Sequence, residues 1–207
     1  MMKIGVINYG VGNINSVFNS ISRIDKNVKI IQIPSELKNF DKIILPGTGS
    51  FYKCIELLKA YHWFDEIKEH VYREKYIFGI CLGMQLFASI GYEGNENSKI
   101  KGFGFIDGQV KSLLSLGCKF KIPLIGWNEI KIQKKSILLN EVKNNADVYF
   151  VNSYSFVPKF KETILTTTKY DIDFVSSVEQ DNIFGTQFHP EKSSHTGRQI
   201  LKNFINA

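Results

Sequence analysis

The sequence predicts an α/β fold: a flavodoxin-like, mostly parallel sheet flanked by helices, with antiparallel hairpins added in the second half. Apolar runs of strand length alternate with stretches of helical periodicity in the first half, which is the rhythm of β-α-β units. Shorter runs separated by Asn, Asp and Gly turns follow. With 207 residues, 43% of them hydrophobic, we expect one domain over residues 1–207.

The first half should contain four buried strands joined by helical crossovers, as parallel pairing requires. The predicted strands are KIGVIN (3–8), VKIIQI (28–33), KIILPG (42–47) and YIFGI (76–80). Apolar residues at helical spacing after Gly12 predict a first helix, and residues 51–74 are expected to be helical throughout.

The second half predicts hairpins attached to the same sheet. The candidate strands are GQVKSL, IPLIGWNEIKI, VYFVNSYSF, TILTTT and DFVSSVEQDNIFGTQF. A last helix is expected over about residues 195–205, where apolar residues recur at helical spacing.

Composition narrows the function classes. The formal charge is +6, and lysines concentrate between residues 111 and 135, but no nucleic-acid-binding motif accompanies them, so a solvated face is expected. Alternatively, this lysine-rich face could bind an acidic partner protein.

Neither a signal peptide nor a membrane span is recognisable, so we expect a cytoplasmic protein. Three widely spaced cysteines favour reduced thiols over disulfides or a zinc site.

The segment YGVGNIN, residues 9–15, resembles the start of a dinucleotide-binding fingerprint. The third glycine of that fingerprint is replaced by Asn15. A tight turn between a strand and a helix explains both glycines, so no nucleotide cofactor is expected.

Cys81 stands in GICLG, a cysteine version of the G-x-S-x-G nucleophile elbow. Strand and helix must pass close together at such an elbow, and Gly79 and Gly83 remove the side chains that would collide. The start of the following helix favours the thiolate form of Cys81. The N–H of Leu82 can also stabilise a tetrahedral oxyanion. The pattern predicts a nucleophilic cysteine.

Four histidines are candidates for the base that such a cysteine needs. His62 and His70 lie in a polar helical segment and are expected on the surface. His189 ends an apolar run, and Pro190 biases it toward an extended conformation, so His189 and Glu191 can project to one side. This spacing predicts a Cys-His-Glu triad, and no metal site is expected there.

The two motifs GICLGMQLF and GTQFHPEKS resemble the signatures of the class I (triad) glutamine amidotransferases. The blocks NYGVGNINSV, LPGTGSF, GFGFIDGQV, IPLIGWNEI and YFVNSYSF are similar, in order, to the glutaminase subunits of imidazole glycerol phosphate synthases. The resemblance covers nearly the whole chain.

This resemblance implies that Cys81 attacks the carboxamide of glutamine, His189 protonates the departing ammonia and then activates water, and Glu191 orients His189. Glutamate and ammonia would be the products. It also implies an oxyanion strand and substrate-binding positions, which are Gly47, Thr48, Gly49, Leu82, Gln85, Ser153 and Tyr154.

The resemblance further implies a heterodimer. The partner would be a (β/α)8 barrel that takes ammonia internally and forms imidazole glycerol phosphate and an aminoimidazole nucleotide in histidine biosynthesis. Its phosphorylated substrate would bind the partner. Pro123, Tyr149 and Lys192 match family positions near that interface.

Three residues depart from the family pattern. Leu124 and Asn152 replace histidines, and Thr48 replaces a valine. These departures leave open a close paralogue that supplies ammonia for amidination of a surface-polysaccharide sugar. A regulatory module without catalysis and an independent cysteine hydrolase fit less well, because the triad, PGTG and the H-P-E spacing are all present.

Overall fold

The computed structural model describes residues 2–94 and 99–207, which contain five α-helices and thirteen strands. The helices are α1 (Ile14–Ser22), α2 (Phe51–Ala60), α3 (Trp63–Tyr72), α4 (Leu82–Gln85) and α5 (Ser194–Asn206). The first seven strands are β1 (Ile4–Ile7), β2 (Lys29–Ile31), β3 (Lys42–Gly47), β4 (Tyr76–Cys81), β5 (Ala88–Gly91), β6 (Ile100–Lys101) and β7 (Ile106–Ser112). The others are β8 (Leu124–Ile132), β9 (Ala146–Asn152), β10 (Tyr154–Pro158), β11 (Ile164–Tyr170), β12 (Ile172–Gln180) and β13 (Ile183–Thr186).

In the described part of the chain, the larger sheet has nine strands in the order β2-β1-β3-β4-β13-β12-β11-β8-β9. The pairings from β2 to β13 are parallel, and those from β13 to β9 are antiparallel. The sheet thus changes from crossover connections to hairpins where β13 enters beside β4. The carboxyl ends of β3, β4 and β13 lie together at one edge, where ligands bind in open α/β sheets.

A second sheet corrects the expectation that all hairpins attach to one sheet. It has the order β10-β7-β5-β6 among the described residues. The run VYFVNSYSF therefore does not form one strand: β9 ends at Asn152 in the large sheet, and β10 begins at Tyr154 in the small one. Alternating apolar residues do not tell which sheet a strand will join, because strands with one buried face, such as β7 and β9, occur in both sheets.

Apolar side chains cover both faces of the parallel strands. Successive residues of a strand point to opposite faces, so Ile43 and Leu45 pack with residues of α2 and α3, whereas Ile44 packs with residues of α1 and α5. Both faces of β3 are fully buried. This arrangement explains the continuous apolar runs of the first half. None of the helices in the described part of the chain combines the length and apolarity that crossing a bilayer requires.

The segment 51–74 is two helices, not the single one expected. The break lies at Tyr61 and His62, where His62 adopts a left-handed conformation with φ of 61°. His62 is exposed, but His70 is buried, so the expectation of a surface position is wrong for His70. His70 lies one turn beyond Ile67 on the apolar face of α3, and burial lowers its pKa to about 4.

Lys42 is buried at the first position of β3 and forms no ion pair with an Asp or Glu side chain among the described residues. Its ammonium donates to the carbonyl oxygens of Phe204, Ile205 and Ala207 at 2.9, 2.9 and 2.6 Å. Nζ also lies 5.0 Å from the centre of the Tyr76 ring. A cation at the carboxyl end of α5 satisfies carbonyls that lack helical partners and interacts favourably with the helix dipole. Lys42 therefore ties α5 to the parallel strands.

Replacing Lys42 with methionine is expected to lower the free energy of unfolding by about 2–4 kcal/mol, because buried carbonyls lose their donor. Urea denaturation measures the change. Lys202→Met, which removes an exposed lysine from α5 itself, is the matched control and should change stability by less than about 0.5 kcal/mol. Equal effects of the two substitutions would show that the buried ammonium contributes nothing specific.

Candidate active site

Cys81 occupies a sharp turn between β4 and α4. Its backbone has φ of 55° and ψ of −111°, a conformation that costs energy for any residue other than glycine. Such strain is typical of nucleophile elbows, where it places the side chain beyond the end of the strand. The side chain is only 7% exposed, so the sulfur lies at the base of a cavity and not on the open surface.

The two glycines around Cys81 are required by close approach, as the motif predicts. A Cβ on Gly79 would lie 2.6 Å from the amide nitrogen of Met84 in α4. A Cβ on Gly83 would lie 1.9 Å from the carbonyl oxygen of Leu45, so Gly83 makes room for β3 and not for β4. The following helix is one turn long, since β5 begins at Ala88. Because the helix is so short, Cys81 interacts mainly with the unpaired N–H groups of this single turn and not with the dipole of a long helix.

His189 and Glu191 form an enclosed pair. Nδ1 of His189 lies 2.9 Å from Oε1 of Glu191, and the two side chains are 6% and 1% exposed. His189 is extended, with φ of −96° and ψ of 97°, as Pro190 favours. Burial lowers the pKa of His189, but hydrogen bonds to Cys81 and Glu191 outweigh burial and raise it to about 10. The imidazole is therefore held as a cation between sulfur and carboxylate.

The sulfur of Cys81 has further neighbours. The carbonyl oxygen of Val151 lies 3.8 Å from Sγ and can accept from a thiol. Nε2 of Gln187 lies 3.6 Å from Sγ and donates to it. The imidazole of His189 lines the same cavity and lies close enough to the sulfur for the two groups to interact electrostatically. The structure thus brings together a thiol, an imidazole and a carboxylate that are more than a hundred residues apart in sequence.

Gly47, Thr48 and Gly49 lie beside this turn. Gly47 pairs directly with Cys81 in the parallel ladder between β3 and β4. Gly49 has φ of 90°, which only glycine adopts easily, and an added Cβ there would meet nothing within 4 Å. Sγ of Cys54 lies 3.5 Å from the carbonyl oxygen of Thr48 and donates to it. Gly47 is therefore tightly packed against the start of α4, whereas Thr48 and Gly49 are exposed and loosely packed.

A cavity of about 270 Å³ opens above Cys81. Its lining residues are Asn13, Thr48, Gly49, Cys81, Leu82, Gln85, Glu93, Pro123, Val151, Asn152, Ser153, Tyr154, His189 and Lys192. Ten of the residues singled out from the sequence are among them. Three are not: Glu191 lies behind His189, Gly47 lies beneath the turn, and Tyr149 lies next to Lys192.

The side chain of Gln85 is fixed by two hydrogen bonds. Its Nε2 donates to the carbonyl oxygen of Tyr154 at 3.0 Å and to Oε1 of Gln187 at 2.9 Å. Asn152 also donates to the Tyr154 carbonyl, at 3.0 Å. The segment after β9 therefore forms one wall of the cavity and is held to α4 by side-chain amides.

Sequence reasoning missed Glu93 as a member of the cavity. Its carboxylate accepts from the amide of Phe51 at 3.2 Å, and the Glu93 carbonyl accepts from Tyr52. Burial raises the pKa of Glu93 to about 7, although the bond from Phe51 acts the other way. Glu93 follows β5 in a polar stretch without a motif, so no local signal marks it. Its place depends on the pairing of the second sheet.

Aromatic residues surround one side of the cavity mouth. Nζ of Lys192 lies 5.8 Å from the ring centre of Tyr149, whose ring packs edge-on against Trp127 at 5.7 Å. Trp127 is 51% exposed, and Ile125 on the same face of β8 is 62% exposed. These apolar side chains lie near Pro123, Tyr149 and Lys192, the three positions considered for an interface.

Two departures from the family pattern face each other in the structure. Leu124 on β8 pairs with Asn152 on β9 in the antiparallel ladder. Leu124 is buried, and Oδ1 of Asn152 has no hydrogen-bond partner among the described residues. Directly opposed residues interact, so the two positions form one local unit at the cavity wall.

Comparisons with known proteins identify the family. The model described as glutamine amidotransferase class-I matches residues 5–207. An imidazole glycerol phosphate synthase subunit HisH from Pelagibacter ubique is 44% identical over 99% of this chain and 100% of its own length. A subunit HisH 1 from Campylobacter jejuni is 41% identical over 98% of both chains.

Solved structures show the same fold at low sequence identity. PurLQS from Thermotoga maritima superposes with a TM-score of 0.76 and 17% identity, covering 100% of this chain and 99% of that one. A GMP synthase subunit from Thermoplasma acidophilum has a TM-score of 0.73 and 19% identity, covering 100% of this chain and 93% of that one. With the family model and the HisH relatives, the chain belongs to the class-I glutamine amidotransferases.

Proposed function

We propose that the chain is the glutaminase subunit of an imidazole glycerol phosphate synthase, with Cys81, His189 and Glu191 as its triad. The observation that supports this most is that the strained Cys81 and the imidazole of the enclosed His189–Glu191 pair line the same cavity and interact there electrostatically. A thiol on an elbow beside an oriented imidazole is the arrangement of nucleophilic catalysis.

The reaction begins with attack of the Cys81 sulfur on the carboxamide carbon of glutamine. The negative oxygen of the tetrahedral intermediate is stabilised by the N–H of Leu82 and by a peptide N–H of the 47–49 segment. The His189 imidazolium gives its proton to the departing nitrogen, the C–N bond breaks and ammonia leaves. The glutamyl group remains on Cys81 as a thioester. Neutral His189 then takes a proton from water, whose attack releases glutamate and restores the thiolate.

Glu93 is proposed to bind the α-ammonium of glutamine. It is an acidic side chain lining the same cavity as Cys81, at the side formed by the start of α2. A buried carboxyl group with a pKa of about 7 gains most from a cationic ligand, because the ligand restores the charge stabilisation that burial removed. Gln85, Ser153 and Tyr154 would hold the rest of the amino-acid part.

The KM for glutamine is expected to fall as pH rises from about 6 to 8, because ammonium binding needs ionised Glu93 and the pKa of Glu93 is about 7. Glu93→Gln should raise KM at pH 8 about tenfold or more and remove this pH dependence. Steady-state kinetics at several pH values measure both effects. Glu162→Gln, which changes an exposed glutamate outside the cavity, is the control. An unchanged KM profile in Glu93→Gln would exclude this role.

A synthase partner completes the proposal. The relatives described above are named as subunits of imidazole glycerol phosphate synthase, and this chain covers 100% and 98% of their lengths. The partner would be a (β/α)8 barrel in a heterodimer, docking on the face that carries Ile125 and Trp127. The names of these relatives do not favour the surface-polysaccharide alternative.

The proposal is tested by isolating the complex from the native cell and assaying it. The expected complex contains a barrel that converts the nucleotide of the histidine pathway, with glutamate formed in equal amount when glutamine is the nitrogen source. A complex with an ATP-dependent sugar-modifying synthetase would overturn the pathway assignment. Absence of glutamine-dependent glutamate release would overturn the glutaminase itself.

A further inference from the structure

Gln187 contacts the nucleophile although the proposed mechanism gives it no role. It follows β13 directly and is completely buried. Its Nε2 lies 3.6 Å from Sγ of Cys81, and its Oε1 lies 2.9 Å from Nε2 of Gln85. The amide of Gln187 therefore connects a wall of the cavity to the reacting sulfur.

The hydrogen bond from Gln85 to the Tyr154 carbonyl determines how the side-chain amides of Gln85 and Gln187 are oriented. The backbone carbonyl of Tyr154 can only accept, so Gln85 must turn its NH₂ group toward it. The same NH₂ group then faces Gln187, which must present its oxygen. The NH₂ group of Gln187 is consequently the end that faces Cys81. A rotated Gln187 amide would place donor against donor at Gln85.

We infer that Gln187 is the hydrogen-bond donor that stabilises the thiolate form of Cys81 and holds the sulfur in position. This inference rests on the proposed glutaminase function. A hydrogen bond to a charged acceptor is stronger than one to a neutral acceptor, so the N–H favours thiolate over thiol. The Val151 carbonyl on another side of the sulfur accepts only from the thiol and opposes this effect.

The role complements that of His189 during the reaction. His189 must leave the sulfur to deliver its proton to the departing nitrogen, and it is neutral when water attacks. Gln187 cannot lose its N–H, so it remains available when the thiolate is expelled from the second tetrahedral intermediate. A thioester sulfur accepts hydrogen bonds poorly, so Gln187 stabilises the free thiolate more than the acyl-enzyme and favours its breakdown.

Other groups act on the same sulfur and must be separated from Gln187. The His189 imidazolium and the Lys192 ammonium favour the thiolate, whereas the Glu93 carboxylate in the cavity and the Glu191 carboxylate behind His189 oppose it. The buried Tyr9 also lies within electrostatic range of Cys81. Neutral substitutions of Gln187 leave all these charges in place.

The test is alkylation of the full chain by iodoacetamide between about pH 5 and 10, quantified by mass spectrometry on the peptide that carries Cys81. In Gln187→Met the midpoint of the pH profile is expected to rise by about one pH unit, because the thiolate loses one donor. Gln187→Glu keeps the shape and the acceptor for Gln85 but places negative charge at the sulfur, so its midpoint should rise at least as far.

Thr186→Val is the matched control, because Thr186 is equally buried and donates to the Phe188 carbonyl without touching the sulfur. Its midpoint should equal that of the parent. If Gln187→Met fails to fold, Gln187→Leu decides, because leucine is also neutral and also lacks the N–H. If the folded Gln187 variants have the midpoint of the parent, the inference about Gln187 is wrong, but the proposed glutaminase function is unaffected. A parent Cys81 that shows no reactive thiolate in this pH range would overturn the proposed glutaminase instead.

Discussion

Cys81→Ala is expected to abolish glutamine hydrolysis, by at least about 1,000-fold in kcat/KM, while the protein still folds. No other thiol lines the cavity among the described residues, so His189 would have no nucleophile to activate. The side chain is small and largely enclosed, and alanine removes a single sulfur atom. The free energy of unfolding should therefore change by about 1 kcal/mol or less. Glutamate release in the presence of the partner and urea denaturation measure the two quantities.

Cys118→Ala is the matched control for this substitution. Cys118 is also a buried free cysteine, but it hydrogen-bonds the Tyr170 carbonyl and does not line the cavity. It should keep parent activity. Glutamine turnover near the parent rate in Cys81→Ala would exclude Cys81 as the nucleophile. The turn between β4 and α4 would then have only a structural role.

The elbow and the His-Pro-Glu segment could be anticipated because their patterns are short stretches of sequence. The glycine two residues before Cys81 permits a local approach to α4, whereas the glycine two residues after it permits the approach of Leu45 in β3. Pro190 restricts His189 regardless of the rest of the fold. That these two segments meet follows from β13 entering the sheet beside β4, which the sequence pattern alone does not state.

The features that escaped prediction depend on contacts between distant segments. His70 has polar neighbours in sequence, and its burial follows from the packing of α3 against β4 and the segment before β3. Glu93 enters the cavity only because β5 turns away into the second sheet. A lysine at the start of a strand is expected to be exposed, yet the carboxyl end of α5 covers Lys42. Apolar periodicity records burial but not the identity of the partner segment.

The break between β9 and β10 shows the same limit at the site itself. Both strands have suitable patterns, and nothing in the local sequence indicates a change of sheet at Ser153. Because the chain passes between sheets there, Asn152, Ser153 and Tyr154 line the cavity. The assignment of Ser153 and Tyr154 to substrate binding rested on the family resemblance, and the structure places them at the cavity without assigning a role to each.

Binding of the proposed barrel partner is expected to raise glutamine hydrolysis by about 100-fold over the isolated chain, a coupling free energy of about 2.7 kcal/mol. The reason is the loose packing of Thr48 and Gly49, which are exposed where the chain leaves β3. Gly49 has open space around it, and a weak thiol donor, Cys54, holds the carbonyl of Thr48. A peptide held this weakly can be turned toward the oxyanion by a partner that binds one orientation better.

Titration of the partner into glutaminase assays measures this activation. Trp127→Ala should raise the partner concentration needed for half-maximal activation about tenfold or more, because Trp127 is an exposed aromatic side chain beside the cavity mouth. Tyr61→Ala, which truncates an exposed aromatic side chain at the end of α2, should leave the titration unchanged. Full activity of the isolated chain would mean that the 47–49 segment already stabilises the oxyanion, and the partner would then receive ammonia without controlling its release.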